Sequence, residues 1–250
     1  MQPYRTAMTE LPVCGAAAPD ARRGATLAVL TVGVGLVVLL MLLPFSSVLP
    51  AAAGLTLYAV VGVWALDRAA ALHPHGRFGL GNWVTLLRLA GAATFAALAL
   101  QPGLLSGAAG WAAVVVAAAL LATDGLDGWA ARRQRLASAF GARFDMETDT
   151  VLTLALAALV CGLGKVGAWV LALGLMRYAF VVAGRVWPPL RADLPPSRRR
   201  KAVCVLQVGI LGVLLAPPVG PPVAAALAGI ALAALAWSFA VDVRWLLRQG

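Results

Sequence analysis

Five of the ten acidic residues in this chain, Asp124, Asp127, Asp145, Glu147 and Asp149, fall in one short window whose flanks are overwhelmingly apolar. On an α-helix, Asp124 and Asp127 are three residues apart and share a face; Asp145 and Asp149 are four apart and share another. Glu147 is turned by roughly 200° from Asp145 and points elsewhere. Two helices joined by a basic turn would therefore bring four carboxylates together as two pairs. Two like charges about 4 Å apart repel by about 4 kcal/mol at an effective dielectric of about 20, so four stay ionised together only with cations between them. Hard oxygen donors of this kind suit Mg²⁺ or Mn²⁺. Small residues accompany the acids: Gly128 lies one turn beyond Asp124, Ala131 one turn beyond Asp127, and Gly141 one turn before Asp145. Glycine costs about 1 kcal/mol inside a helix, so its presence here predicts that something comes close to the backbone.

Read together, Asp124, Asp127, Gly128, Ala131, Arg132, Gly141, Asp145 and Asp149 spell D-x2-D-G-x2-A-R-x8-G-x3-D-x3-D. Eight specified positions at fixed offsets resemble the signature of the CDP-alcohol phosphatidyltransferases, integral membrane enzymes that make phospholipids. A second stretch, Asn82, Thr85 and Arg88 as N-x2-T-x2-R, is similar to one that precedes the signature in many family members, usually after a proline where this chain has Gly81. On its own, Asn82 would pass for a helix cap.

The resemblance implies a site. Asp124, Asp127, Asp145 and Asp149 would hold Mg²⁺ or Mn²⁺, as two ions, against the diphosphate of a CDP-linked lipid such as CDP-diacylglycerol, and CMP would leave. Asp149 stands where the family has its proton acceptor. The nucleotide would lie over Gly128 and Ala131, with Gly141 and Ser138 in the same contact set, Asn82 and Thr85 approaching from a neighbouring helix, and Arg132 offering a forked donor to phosphate. For Ser138 a solvated turn is the plain alternative. The acceptor would be a small polar alcohol such as glycerol phosphate or inositol phosphate, met by Arg88 and Arg177. The run Arg198, Arg199, Arg200 and Lys201 also offers charge to such an acceptor, but a basic stop drawn to anionic headgroups, at about 1 kcal/mol per charge, accounts for it better. Of the K-T-x2-Q that some family members carry at the start of the next helix, only Gln207 fits, with Val203 and Cys204 in the other two places. The family also implies a homodimer. Two other functions fit parts of the pattern: a Mg²⁺-dependent membrane prenyltransferase, which Asp145 and Asp149 alone would allow, and a cation-binding transporter. Gly128, Ala131 and Arg132 favour a nucleotide over an isoprenoid, and the apolar far halves of the spans speak against an ion path.

The elements that must position these residues are legible in the composition. At 250 residues, 62% hydrophobic and 12% charged, the chain has the make-up of a polytopic membrane protein. The expected fold is an all-α bundle of about eight transmembrane helices, a six-helix family core at residues 80–246 preceded by two more at 24–68 and a cytoplasmic tail at 1–23. The net charge of +10 flanks apolar spans rather than forming a face, which excludes a nucleic-acid partner in favour of membrane lipids. The three cysteines, Cys14, Cys161 and Cys204, show no metal-ligand spacing, and His73 and His75 have no third ligand near them. Arginine far outnumbers lysine and alanine is abundant, as in a GC-rich bacterial genome.

Apolar runs at 24–43, 48–66, 80–100, 105–131, 142–163, 166–186, 202–215 and 222–245 are each read as a span. With the N-terminus in the cytoplasm, one set of links carries Arg68 and Arg77, then Arg132, Arg133, Arg135 and Arg143, then Arg185, Arg191 and Arg198 to Lys201; the other set carries Lys165 alone. The positive-inside rule therefore puts both termini and the acidic site at the cytoplasmic face, in what the composition reads as a bacterial inner membrane. Arg88 and Arg177 lie inside spans, where an arginine costs at least about 2.5 kcal/mol near the helix centre, so each is expected to face a wet cavity or an acid. Snorkelling helix-end charges account for Arg132 or Arg185 but not for the four aspartates together.

Overall fold

The computed structural model describes residues 19–248 apart from 73–76, 135, 137, 193 and 196; within that range the side chains of 19–21, 70–72, 125–132 and 191 lie outside the description. The N-terminal tail before residue 19, the His73/His75 pair, and the side chains of Asp127, Gly128, Ala131 and Arg132 thus fall outside the described part.

The described residues form eight α-helices and no strand: α1 Pro19–Leu42, α2 Leu49–Leu72, α3 Leu80–Ala99, α4 Ala108–Arg133, α5 Ala139–Gly162, α6 Ala172–Val186, α7 Arg198–Leu214 and α8 Pro221–Leu247. Each of the eight apolar runs lies within or overlaps one helix, so the chain is a polytopic helical bundle. Among the described residues, five helical segments are long and apolar enough to cross a membrane: Arg22–Leu42, Leu49–Ala69, Leu80–Ala99, Ala168–Val186 and Pro221–Leu247. The other three helices fall short for a common reason. In α4 the apolar part ends at Asp124, α5 opens on the charged turns that carry Asp145, Glu147 and Asp149, and α7 opens on Arg198 to Lys201.

Helices consecutive in the chain alternate in direction, and small residues mark where helices touch. Gly33 of α1 faces the Tyr58 ring of α2, whose hydroxyl donates to Val29 O at 2.8 Å. A Cβ on Gly54 of α2 would stand 2.8 Å from Ala93 O of α3, so α2 lies directly on the α3 backbone there. Gly91 of α3 faces Leu120 of α4, and Gly212 and Gly209 of α7 face Ala117 and Leu121 of α4.

The most extensive contact is between α3 and α5, and it is parallel. Three points fix its register. Gly141, at the start of α5, lies against Asn82, at the start of α3; Asp145 and Asp149 lie against Arg88; and Gly162, at the end of α5, lies against Ala99 O at the end of α3. Helix α4, which links them in the chain, runs back along α3, with Leu120 against Gly91 and Asp124 against Arg88. Buried leucine and alanine fill the seam, Leu86, Leu89, Ala92 and Ala93 from α3 with Leu152, Leu156, Ala157 and Leu159 from α5. Its site end is closed by three phenylalanines. Phe140 stacks on Phe144 at 5.7 Å between ring centroids, and Phe78 meets Phe140 at 6.4 Å.

Candidate metal and nucleotide site

The site occupies one end of the bundle, where the first halves of α3, α5 and α7 meet the last turns of α4. Local chemistry sets each helix start. Gly79 takes φ of +79°, open to glycine at little cost, and Leu80 N donates to Gln134 Oε1 of the α4–α5 link at 3.0 Å. Ser138 caps α5, its Oγ accepting from Gly141 N at 3.1 Å. Helix α7 begins at Arg198, earlier than the apolar run at 202–215 indicates, because arginine and lysine are good helix formers and Ser197 supplies an extended N-cap residue.

Three of the four predicted metal ligands come together. Asp124, Asp145 and Asp149 each offer a carboxylate oxygen within 4.8 Å of the others, drawn from α4 and α5. Asp127 shares the helix with Asp124, but its side chain lies outside the described residues. Glu147 is turned away from this point, as its offset predicts, and pairs with Arg177 Nη2 at 2.5 Å.

Arg88 reaches the same point from α3. Its Nη1 donates to Asp149 Oδ1 at 2.6 Å and to Asp124 Oδ1 at 3.0 Å, and its Nη2 donates to Asp145 Oδ1 at 2.7 Å. The side chain is only 1% exposed, so this guanidinium is held inside the bundle by acids from two other helices. An arginine fork matches carboxylates in geometry as well as charge, which makes these bonds short and strong. Lys201 of α7 approaches from the solvent side: its Nζ is 3.8 Å from Asp124 Oδ2 and its side chain is 67% exposed. Cys204, one turn further along α7, lies within electrostatic reach of Asp149, Asp124, Asp145 and Arg88. Helix α7 is thus the fourth helix of the site.

The remaining predicted residues separate into two groups. Asn82 and Thr85 are buried beside the cluster and bonded to their own helix entrance, Asn82 Nδ2 to Phe78 O and Thr85 Oγ1 to Gly81 O at 3.1 Å. Gly141 lets Asn82 in: a Cβ there would stand 3.1 Å from Asn82 Oδ1. Arg177 of α6, expected with Arg88 at the acceptor, binds another side of α5; besides Glu147 it donates to Thr150 Oγ1 at 3.2 Å and Met146 O at 3.4 Å. Arg88 and Arg177 each have the acidic partner that a charge in a span demands, but of the two only Arg88 shares the aspartate face. The basic run at the start of α7 also divides. Arg199 Nη2 and Arg200 Nη1 both bind Asp242 Oδ1 of α8, at 2.6 and 3.1 Å, and Arg199 lies 5.6 Å from the Trp237 ring centroid. Lys201 alone of that run turns to the aspartates among the described contacts.

A family model described as CDP-alcohol phosphatidyltransferase matches residues 78–241, about two thirds of the chain. The chain belongs to the CDP-alcohol phosphatidyltransferase family. The matched segment begins just before α3 and ends in α8, so it holds Arg88, every predicted ligand and Lys201, while α1 and α2 stand outside it. Comparison with curated proteins and with solved structures returned no match. Family membership brings phosphatidyl transfer from a CDP-alcohol in general, a CDP-alcohol and an alcohol as substrates, and use of a divalent metal. The donor set fits such an ion: three carboxylates from two helices converge to within 4.8 Å, all hard oxygen ligands that suit Mg²⁺ or Mn²⁺.

Proposed function

We propose that this protein transfers a phosphatidyl group from CDP-diacylglycerol, or a similar CDP-linked lipid, to a small polar alcohol such as glycerol phosphate or inositol phosphate. The observation that carries the reading is the convergence of Asp124, Asp145 and Asp149 on one point inside the family-matched segment. In the reaction the alcohol oxygen bonds to the lipid-side phosphorus, the bond from that phosphorus to the CMP oxygen breaks, and the alcohol proton passes to a carboxylate. Asp149 takes that proton. Divalent ions bound by Asp124, Asp127, Asp145 and Asp149, two in number, would supply charge neutralisation for the diphosphate as CMP leaves. Gly128 and Ala131 leave room for the nucleotide on α4, Arg132 gives its phosphate a forked donor, and Asn82, Thr85, Ser138 and Gly141 close the α3–α5 side.

Lys201 is the rim charge best disposed to meet an anionic acceptor, since it is exposed and stands beside Asp124. The excess of arginine and lysine on one set of links supports an active site and both termini at the cytoplasmic face; the arginine- and alanine-rich composition supports a bacterial inner membrane, and family membership supports a homodimer. The test is direct. Protein purified in detergent, given CDP-diacylglycerol, Mg²⁺ or Mn²⁺ and a panel of alcohols, is expected to release CMP with at least one acceptor and to stop when EDTA is added. A folded sample that releases none with any acceptor overturns the reading.

A further inference from the structure

Arg88 presents two electrostatic problems that cancel. Its guanidinium is 1% exposed, and a buried cation is tolerated only beside anions. Asp124, Asp145 and Asp149 are three anions whose ligand oxygens lie within 4.8 Å of one another, and such a group is tolerated only around a cation. The two terminal nitrogens of Arg88 take up Oδ1 of all three, at 3.0, 2.7 and 2.6 Å. The guanidinium and a divalent ion therefore draw on the same carboxylates. Lys201 stands differently: at 3.8 Å and 67% exposed, its charge is screened by water and salt and weighs little in the balance.

We propose that Arg88 is the internal counter-ion of the metal centre, a positioning residue that holds the three carboxylates together and competes with the divalent ion for them. The inference rests on the reading of Asp124, Asp145 and Asp149 as metal ligands. It assigns Arg88 to the metal side of the site and not to the acceptor. Charge balance gives the direction of its effect. The guanidinium cancels one of the negative charges that a divalent ion meets at these carboxylates; without it the same ion meets one more negative charge and is bound more strongly. A purely structural role predicts the reverse, because acids that drift apart bind an ion less well.

Mn²⁺ titration of the purified protein, followed by electron paramagnetic resonance, separates the two, alongside thermal unfolding in EDTA and in Mn²⁺. The expected result is that Arg88→Gln binds Mn²⁺ about tenfold more tightly than wild type. Arg88→Lys, which keeps the charge, is expected to stay within about threefold of wild type. In EDTA the Gln variant is expected to melt below wild type, and Mn²⁺ to restore it. Equal or weaker Mn²⁺ binding by a folded Arg88→Gln overturns the proposal, as does a Gln variant that stays unfolded in excess Mn²⁺. Wild-type binding that disappears in Asp145→Asn upholds the metal reading of the site whichever way Arg88 falls. No Mn²⁺ binding by wild type or either Arg88 variant overturns both.

Discussion

Lys201 Nζ stands 3.8 Å from Asp124 Oδ2, the carboxylate oxygen opposite to the one that Arg88 holds. One aspartate therefore lies between a cation sealed inside the bundle and a cation open to solvent. The inner one is fixed by three acids, while the outer one has the freedom of an exposed lysine on the first turn of α7.

That difference makes Lys201 the residue to change when acceptor choice is in question. Lys201→Gln is expected to leave stability within about 0.5 kcal/mol, as exposed substitutions usually do. A charge-assisted bond to an anionic acceptor is worth about 1.5 kcal/mol, so the KM for a phosphorylated alcohol should rise about tenfold with kcat little changed. A neutral alcohol should show no such rise. Steady-state kinetics with one acceptor of each kind check it.

Asp149→Asn is expected to lower turnover by about 10²- to 10⁴-fold, the range of a lost general base. Binding of the CDP-linked lipid should largely survive, because Asp124 and Asp145 remain. Direct measurement of donor binding beside CMP release separates the two effects; turnover near wild type removes Asp149 from the role of proton acceptor.

Asp242 ties the first turn of α7 to α8 by accepting from both Arg199 and Arg200. Asp242→Asn removes the charge that both guanidinium groups share and is expected to cost about 2 kcal/mol of stability. The unfolding midpoint in detergent should fall accordingly. Because α7 also carries Lys201, the KM for an anionic acceptor should rise with it.

At the opposite end of the bundle, Lys165 Nζ donates to Leu214 O at 2.8 Å and Ala216 O at 2.6 Å, satisfying carbonyls where α7 ends. Lys165→Met leaves them without that donor and is expected to cost about 1 to 3 kcal/mol. Desolvation holds the Lys165 amine below the usual lysine value of 10.5. The unfolded chain therefore binds more protons than the folded one between the lowered value and 10.5, and in that window this group adds stability as pH rises. The gap in melting midpoint between wild type and Lys165→Met should widen with pH across the alkaline range.

The eight helices and the pairing of acids on them were legible because both depend on local periodicity. Asp145 and Asp149 share a face at four residues apart, and Glu147 departs from it by the same geometry. What joins one helix to another was not legible in that way. Arg88 was recognisable as a charge in a span that needed an acid, but nothing in its own neighbourhood tells Asp149 from Glu147 as the partner; the parallel register of α3 and α5 decides that. Arg177 has the same sequence character and goes to Glu147 because α6 packs on another side of α5. The first residues of α7 read as a uniform basic run, and only the position of Asp242, more than forty residues later, divides Arg199 and Arg200 from Lys201. Gly141 was recognisable as a place of close approach; that Asn82 is what approaches depends again on the register of α3 against α5.

The order of the helices along the chain gives Arg88 one more consequence. Helix α3 is synthesised before α4 and α5, so its arginine reaches the bilayer before any of the acids that receive it there. A lone arginine near the middle of a span is costly to insert, and Asp124, at the far end of α4, is the earliest of its three partners to be made. Helices α3 and α4 therefore enter the membrane most easily as a pair, with the future site already half neutralised on arrival and α5 completing it.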